Sequence, residues 1–333
     1  MTEHKIEIPI SSTSDQGALI GILRKQDSSP LQSTSQPQPK PITLILHGVL
    51  AHKDQLYHRK LAQTLPCDSF RFDFRHADQG GESRHAPGSE GWHMSSFDQD
   101  ILDIHTAILY LRKTFNYHVE SVIAHSRGVL NMWQYFWDVE MRRLNVIPNN
   151  TQNFILDRIP FYVALAGRWD MHRMRKRFPD DSKELQKKGY FEWKVRVAGK
   201  NFSVNVTKPM IDGFCNFPIA DLVNKFPADV DVLLVHGTKD ATVPYQDAFA
   251  YMDKLQHHMQ PPRRKESTDL ELIEGADHTF KGHFDAVINT SCDYLNRRRK
   301  AVLEKDEFAS PAAIEFQRHC PLSPLSQTPN SKL

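Results

Sequence analysis

The chain has 333 residues, 40% of them hydrophobic, enough to fill the core of one large domain or two small ones. Lysine and arginine total 42 against 40 aspartate and glutamate, and a net charge of +2 requires no nucleic-acid or acidic partner. A mean hydropathy of −0.52 argues against a transmembrane segment, and the longest apolar runs, such as Ile42–Leu46 and Val232–Val235, are only strand-sized.

The N-terminus, MTEHKIEIPI, has no basic start followed by an apolar stretch, so no secretory signal is expected. Residues 5–9 and 18–24 flank the turn-rich SSTSDQG and predict an opening hairpin. The Ser-, Gln- and Pro-rich stretch 28–41 reads as a solvated loop. Strand-length runs follow: Ile42–Leu46, Phe70–Phe74, Ser121–Ala124, Phe161–Ala166, Val230–Val235 and Leu270–Ile273. Amphipathic segments lie between several of them. In 97–111, Phe97, Ile101, Ile104, Ile108 and Leu111 recur every three or four residues. Such alternation predicts an α/β fold, a mostly parallel sheet covered by helices on both faces.

The interval 168–227 is far longer than a crossover helix needs. Within it Phe191, Trp193, Val195 and Val197 alternate, Gly199 follows, and Phe202, Val204 and Val206 alternate again. That pattern predicts a β-hairpin in a cap placed over the carboxyl ends of the strands, where open α/β sheets build their sites. The chain is therefore read as one domain over 1–305 with a cap at about 168–227. The Pro- and Ser-rich residues 306–333 are read as a flexible tail.

The segment SVIAHSRGVL carries the most chemistry. Its strand Ser121–Ala124 runs through His125, Ser126, Arg127 and Gly128 into a helical stretch, Val129–Val146. A serine on a sharp strand-to-helix turn projects its hydroxyl, and crowding there favours small residues two positions either side, here Ala124 and Gly128. A hydroxyl needs a base, and the base an orienting carboxylate, which in this architecture follow in the order Ser, Asp, His. Asp240, just past a strand in LLVHGTKDATVP, and His278, just past the next in IEGADHTF, complete the set. Asp277 and His125 are read as a loop hydrogen-bonding group and a packing residue, and His283 as the start of a helix. For the developing oxyanion the expected donors are the backbone N–H groups of Arg127 and of Val49, which follows His47-Gly48.

Taken together, LILHGVLAHKD, RFDFRHADQGGES, VIAHSRG, LLVHGTKDATVP and IEGADHTF resemble the α/β-hydrolase superfamily over about residues 15–300. Within it the likeness is to intracellular feruloyl/cinnamoyl-esterase-like and serine-aminopeptidase-like hydrolases. The HSRG turn and the inserted ALAGRWDM…GYFEW…VT segment are similar to fungal and plant members. Two departures stand out. Ala124 takes the place of a usual glycine, and RHADQGGES is longer than the common compact turn.

The Trp193 and Phe191 hairpin and the cationic run MHRMRKRF, with Arg173, Arg175 and Arg177, are expected to shape substrate binding. The bland alternative for the cationic run is a solvated cap helix. Arg297-Arg298-Arg299-Lys300 is read as complementing the dipole at the end of a long helix. The four cysteines are scattered without a CxxC pair and are read as reduced thiols. No HExxH motif or paired-Cys spacing occurs among the 17 histidines and four cysteines, so neither a metal nor any cofactor is expected. The functional expectation is a serine hydrolase acting on a carboxylic ester with an apolar acyl group. A peroxisomal acyl-CoA thioesterase, or a non-enzymatic binding module on the same fold, is the alternative.

The last three residues, Ser331-Lys332-Leu333, form the tripeptide read by the peroxisomal import receptor. Three fixed residues arise by chance at a given end in roughly one chain in several thousand, so a peroxisomal matrix address is expected. A fluorescent protein fused at the N-terminus is expected to give puncta that coincide with a peroxisomal marker and become diffuse on deletion of Ser331–Leu333. Puncta that survive the deletion would defeat the expectation.

Overall fold

In the computed structural model, strand-length apolar runs become a single eight-stranded sheet. The structure describes residues 2–10, 17–26, 39–75, 81–84, 94, 97–144, 158–178, 183–197, 200–259 and 262–308. Most of the 28–41 loop and all of 309–333, including the Ser331–Leu333 signal, lie outside the described residues. In chain order the strands of the main sheet are β1 (Thr2–Pro9), β2 (Ala18–Lys25), β3 (Lys40–Leu46), β4 (Asp68–Phe72), β5 (Tyr117–His125), β6 (Phe161–Leu165), β9 (Asp231–Gly237) and β10 (Thr268–Ile273). Their spatial order is β1-β2-β4-β3-β5-β6-β9-β10. Only β2 runs against the rest, pairing antiparallel with β1 and β4, while every other pairing is parallel. The strand and helix alternation predicted this mostly parallel sheet with helices on both faces, and the resemblance implied the α/β-hydrolase fold.

Why the central strands read as continuous apolar runs is visible in the register. Leu44, Val122, Tyr162 and Val232 form one row across four strands, and Ile45, Ile123, Val163 and Leu233 form the next row on the opposite face. The first row packs with α2 (Phe97–Phe115), α3 (Arg127–Arg143) and α7 (Gln246–His257). The second packs with α1 (His58–Thr64) and α8 (Phe284–Phe308). A strand buried on both faces has no polar side to show, which is the mark of a parallel sheet.

The insertion holds a 3-10 turn (Met171–Arg177), α4 (Lys183–Lys188), the antiparallel hairpin β7 (Tyr190–Val197) and β8 (Lys200–Thr207), α5 (Lys208–Cys215) and α6 (Ile219–Asn224). The hairpin is the expected one. The expected end of the cap is corrected: Leu222 and Val223 of α6 are buried in the core with α3 and α7, so α6 belongs to the helix layer. The basic string of α8 is corrected too. This helix continues to Phe308, so Arg297–Lys300 sit mid-helix. Arg298 bonds Asp269 at 3.1 Å and Arg299 bonds Glu120 at 2.6 Å. These pairs tie α8 to sheet residues; they do not complement a helix end. Among the described residues no helix is long and apolar enough to cross a membrane.

Trp133, one turn and a half beyond the start of α3, is fully buried and packs its ring against Tyr162 (5.2 Å), Phe226 (4.8 Å) and Tyr251 (5.2 Å). Replacing it by alanine is expected to cost about 3–5 kcal/mol through lost burial and a residual cavity. Urea unfolding checks this, and a loss below about 1 kcal/mol would show that the cluster can collapse around the gap.

Candidate active site

The carboxyl ends of the parallel strands all open on one edge, and each candidate residue stands just past such an end. Ser126 follows β5 and is the turn into α3, with φ of 54° and ψ of −113°. Positive φ in a residue other than glycine costs on the order of 1–3 kcal/mol and persists only where its surroundings enforce it. Here Ser126 N–H is held by the Leu165 carbonyl of β6 at 2.9 Å. On the far side of the turn, a Cβ on Gly128 would stand 2.9 Å from the His47 carbonyl, so no larger residue fits. Ala124, where a glycine is usual, is accommodated as a fully buried strand residue.

His278 lies beyond β10 and Asp240 beyond β9. His278 Nε2 is 2.9 Å from Ser126 Oγ, and its Nδ1 is 2.7 Å from Asp240 Oδ2. The carboxylate fixes the tautomer. With the proton on Nδ1 facing Asp240, the Nε2 lone pair is left to accept the serine proton. Asp240 Oδ1 accepts the N–H groups of Thr242 and Val243, both at 2.8 Å. His236 Nε2 lies 3.2 Å from Asp240 Oδ2 and 2.9 Å from the Val243 carbonyl. Burial alone would raise the Asp240 pKa, but the bonds from His236, His278 and Val243 outweigh it and hold the carboxyl well below its ordinary range.

Three neighbours steady this set. His125 is fully enclosed, and burial, helped by the nearby His278 ring, drops its pKa to about 3. Neutral His125 donates from Nε2 to the His278 carbonyl at 2.9 Å, which fixes the loop that carries His278. His47 Nε2 accepts the Phe74 N–H at 3.0 Å, so its Nδ1–H is free to donate to the Gly48 carbonyl at 2.8 Å. Arg127 is locked by Asp100 at 2.8 Å, with its guanidinium 4.4 Å above the Phe97 ring. Asp277 accepts from Thr279 and Lys281 within its own loop and takes no part in orienting His278. His283 donates its N–H to the Phe280 carbonyl, immediately ahead of α8.

A cavity of about 250 Å³ opens at Ser126 and His278, just under the roughly 300–1,000 Å³ typical of small-molecule sites. Val49 and Arg127 line it beside the serine, as do Trp193 and Arg177 from the cap. Leu130, Met174, Val195 and Phe214 make much of the wall apolar. Three expected substrate contacts are placed elsewhere. Phe191 packs edge-on against Phe178 at 6.2 Å. Arg173 is held by Asp170 at 3.3 Å and Asp247 at 3.4 Å. Arg175 is held by Asp212 at 2.9 Å and Asn216 at 3.1 Å. For the two arginines the reason is the helix type. Met171–Arg177 is a 3-10 turn, capped by the Asp170 side chain on Arg173 N–H, and three residues per turn set Met174 and Arg177 one above the other. An α-helical reading of the cationic run gives no basis for separating Arg177 from Arg173 and Arg175. Sequence reasoning also missed His236 and Arg168. His236 stands four residues ahead of Asp240, whereas Arg168, a lone arginine after β6, had no pattern to betray it.

The prolyl oligopeptidase family profile matches residues 212–297, the stretch that contains Asp240 and His278. An uncharacterised Saccharomyces cerevisiae protein, YDL057W, is 25% identical over 253 residues, covering 72% of this chain and 69% of its own. Among solved structures, Est1E from Butyrivibrio proteoclasticus bound to ferulic acid superposes with a TM-score of 0.60 at 16% identity, covering 88% of this chain and 98% of its own. The mouse α/β hydrolase domain-containing protein 10 gives 0.52 at 16% identity, covering 89% and 99%. By fold the chain is an α/β hydrolase.

Gly237 closes β9 three residues before Asp240, and a Cβ there would lie 2.3 Å from the Ala276 carbonyl, at the foot of the His278 loop. Gly237→Ala is expected to push that loop away and slow labelling of Ser126 by a fluorophosphonate about a hundredfold, the effect of a misplacement near 1 Å. Wild-type labelling at wild-type melting temperature would show that the loop position is not needed.

Proposed function

We propose that the chain is a serine hydrolase that cleaves a carboxylic ester of an apolar acyl group through an acyl-enzyme. The observation that carries this reading is the hydrogen-bonded series Ser126–His278–Asp240 at the mouth of a cavity with a largely apolar wall. In this reading His278 Nε2 takes the proton as Ser126 Oγ attacks the carbonyl carbon. Negative charge gathers on the carbonyl oxygen, where the backbone N–H groups of Val49 and Arg127 receive it. Collapse of the adduct expels the alcohol, protonated by His278, and leaves the acyl group on Ser126. Water, deprotonated by the same histidine, then attacks that ester and frees the acid. Asp240 stays ionised throughout and stabilises the imidazolium. Support comes also from the similarity to Est1E, whose solved complex holds ferulic acid. An acyl-CoA thioester would pass through the same steps, with a thiol leaving.

Turnover of a panel of p-nitrophenyl esters and acyl-CoAs measures the preference directly. Ser126→Ala and His278→Ala are expected to lose about six orders of magnitude in turnover. Asp240→Asn should lose about three to four orders. All three should stay folded. Near-normal turnover by Asp240→Asn would remove Asp240 from the mechanism, and failure of a fluorophosphonate to label Ser126 in folded protein would remove the serine and favour a binding module instead.

A further inference from the structure

Two arginines face the same cavity as Ser126, and among the described residues neither has a carboxylate within ion-pair distance. Arg168, three residues past β6, is 7% exposed and donates Nη2 to the Thr242 carbonyl at 2.6 Å. Arg177, at the end of the 3-10 turn, donates Nη2 to the Ala241 carbonyl at 3.3 Å. The two acceptors are consecutive residues on the loop that begins at Asp240, and both arginines line the cavity, near enough for Arg177 to act on Arg168. Each acceptor is a neutral carbonyl, and the negative charges that act on Arg168, Asp247 and Asp240, make no direct ion pair with it among the described residues.

Among the described residues the nearby carboxylates, Asp247 and Asp240, are engaged with other partners. Asp247 accepts the N–H groups of Trp169 and Asp170 and pairs with Arg173. Asp240 is occupied by His278, His236 and two backbone N–H groups. Burial, first of all, holds the Arg168 pKa below its usual value, and the neighbouring Arg177 adds to that, against the pull of Asp247. A buried guanidinium such as that of Arg168 is costly when no carboxylate pairs with it directly, and an incoming anion relieves the cost. The planar fork of a guanidinium suits a carboxylate in two-point contact.

We propose that Arg168 and Arg177 form a carboxylate-binding subsite in the Ser126 cavity, so that the ester cleaved carries a free carboxylate at a distance from the scissile bond. The proposal rests on the serine-hydrolase reading above and names its substrate class. The apolar wall of Leu130, Met174 and Val195 takes the intervening methylenes, and the arginines take the charged end.

Three esters test it on the full-length wild-type chain, with acid release followed by titration at constant pH. Monoethyl glutarate carries the carboxylate on the acyl side, pentanoyloxyacetate carries it on the alcohol side, and ethyl pentanoate is neutral. One of the two charged esters is expected to exceed ethyl pentanoate in kcat/KM by about ten- to a hundredfold, the worth of one or two charge-assisted hydrogen bonds. Which of the two is favoured locates the subsite on the acyl or the alcohol side. Arg177→Gln, at an exposed position that is safe for folding, and Arg168→Gln should each reduce that ratio about tenfold, with lysine at either position restoring part of it. A purely structural role for the arginines would lower turnover of charged and neutral esters alike and leave the ratio untouched. Equal or better turnover of ethyl pentanoate by the wild type overturns the subsite alone, provided Ser126 labels with a fluorophosphonate. Absence of labelling overturns the hydrolase reading and the subsite together.

Discussion

Asp240 is the constraint on which the rest of the site depends. A carboxylate removed from water is costly unless each lone pair finds a donor. Asp240 meets that demand with His278, His236 and the N–H groups of Thr242 and Val243. Because two of those donors belong to its own turn, the carboxylate holds the loop after β9 in the shape observed. That shape offers the carbonyls of Ala241 and Thr242 to two arginines and places Oδ2 where β10 delivers its histidine. The base and the charged wall of the cavity are set by one buried negative charge.

The serine side is organised by close packing more than by charge. The left-handed backbone of Ser126 is held between β6, through the Leu165 carbonyl, and β3, whose end passes so near that Gly128 has no room for a side chain. The loop after β3 is braced separately by His47 and Phe74, which keeps Val49 at the serine. Strain at the turn is thus opposed by neighbours on both sides, and the hydroxyl is left pointing into the cavity.

Much of this was legible because it follows from short-range rules. Strands buried on two faces are apolar throughout, amphipathic helices repeat every three or four residues, and a strand-to-helix turn needs small residues at fixed offsets, as at Ala124 and Gly128. The hairpin at 190–207 announced itself by alternation around Gly199. What was not legible depends on choices that a sequence leaves open. Nothing in MHRMRKR distinguishes a 3-10 turn from an α-helix, yet that choice directs Arg177 inward and sends Arg173 and Arg175 to Asp247 and Asp212. Arg168 gains its place from tertiary contact with the Asp240 loop alone. The extent of α8 was likewise hidden, since its arginines pair with residues distant in the chain, Glu120 and Asp269.

The insertion leaves the sheet at β6 and returns at β9, and these two strands are immediate neighbours. Because the two strands run parallel, its ends lie at opposite ends of them: Leu165 is level with Val235, four residues beyond Asp231, which fixes the ends about 14 Å apart whatever lies between them. Closing a long loop between fixed ends depends only weakly on its length, with each doubling costing about 0.6 kcal/mol. Segments of other sizes and sequences could occupy this interval while Ser126, Asp240 and His278, which are carried by other connections, keep their places. One stretch can change without moving the strand ends, and the other is held by the hydrogen bonds that join Ser126, His278 and Asp240.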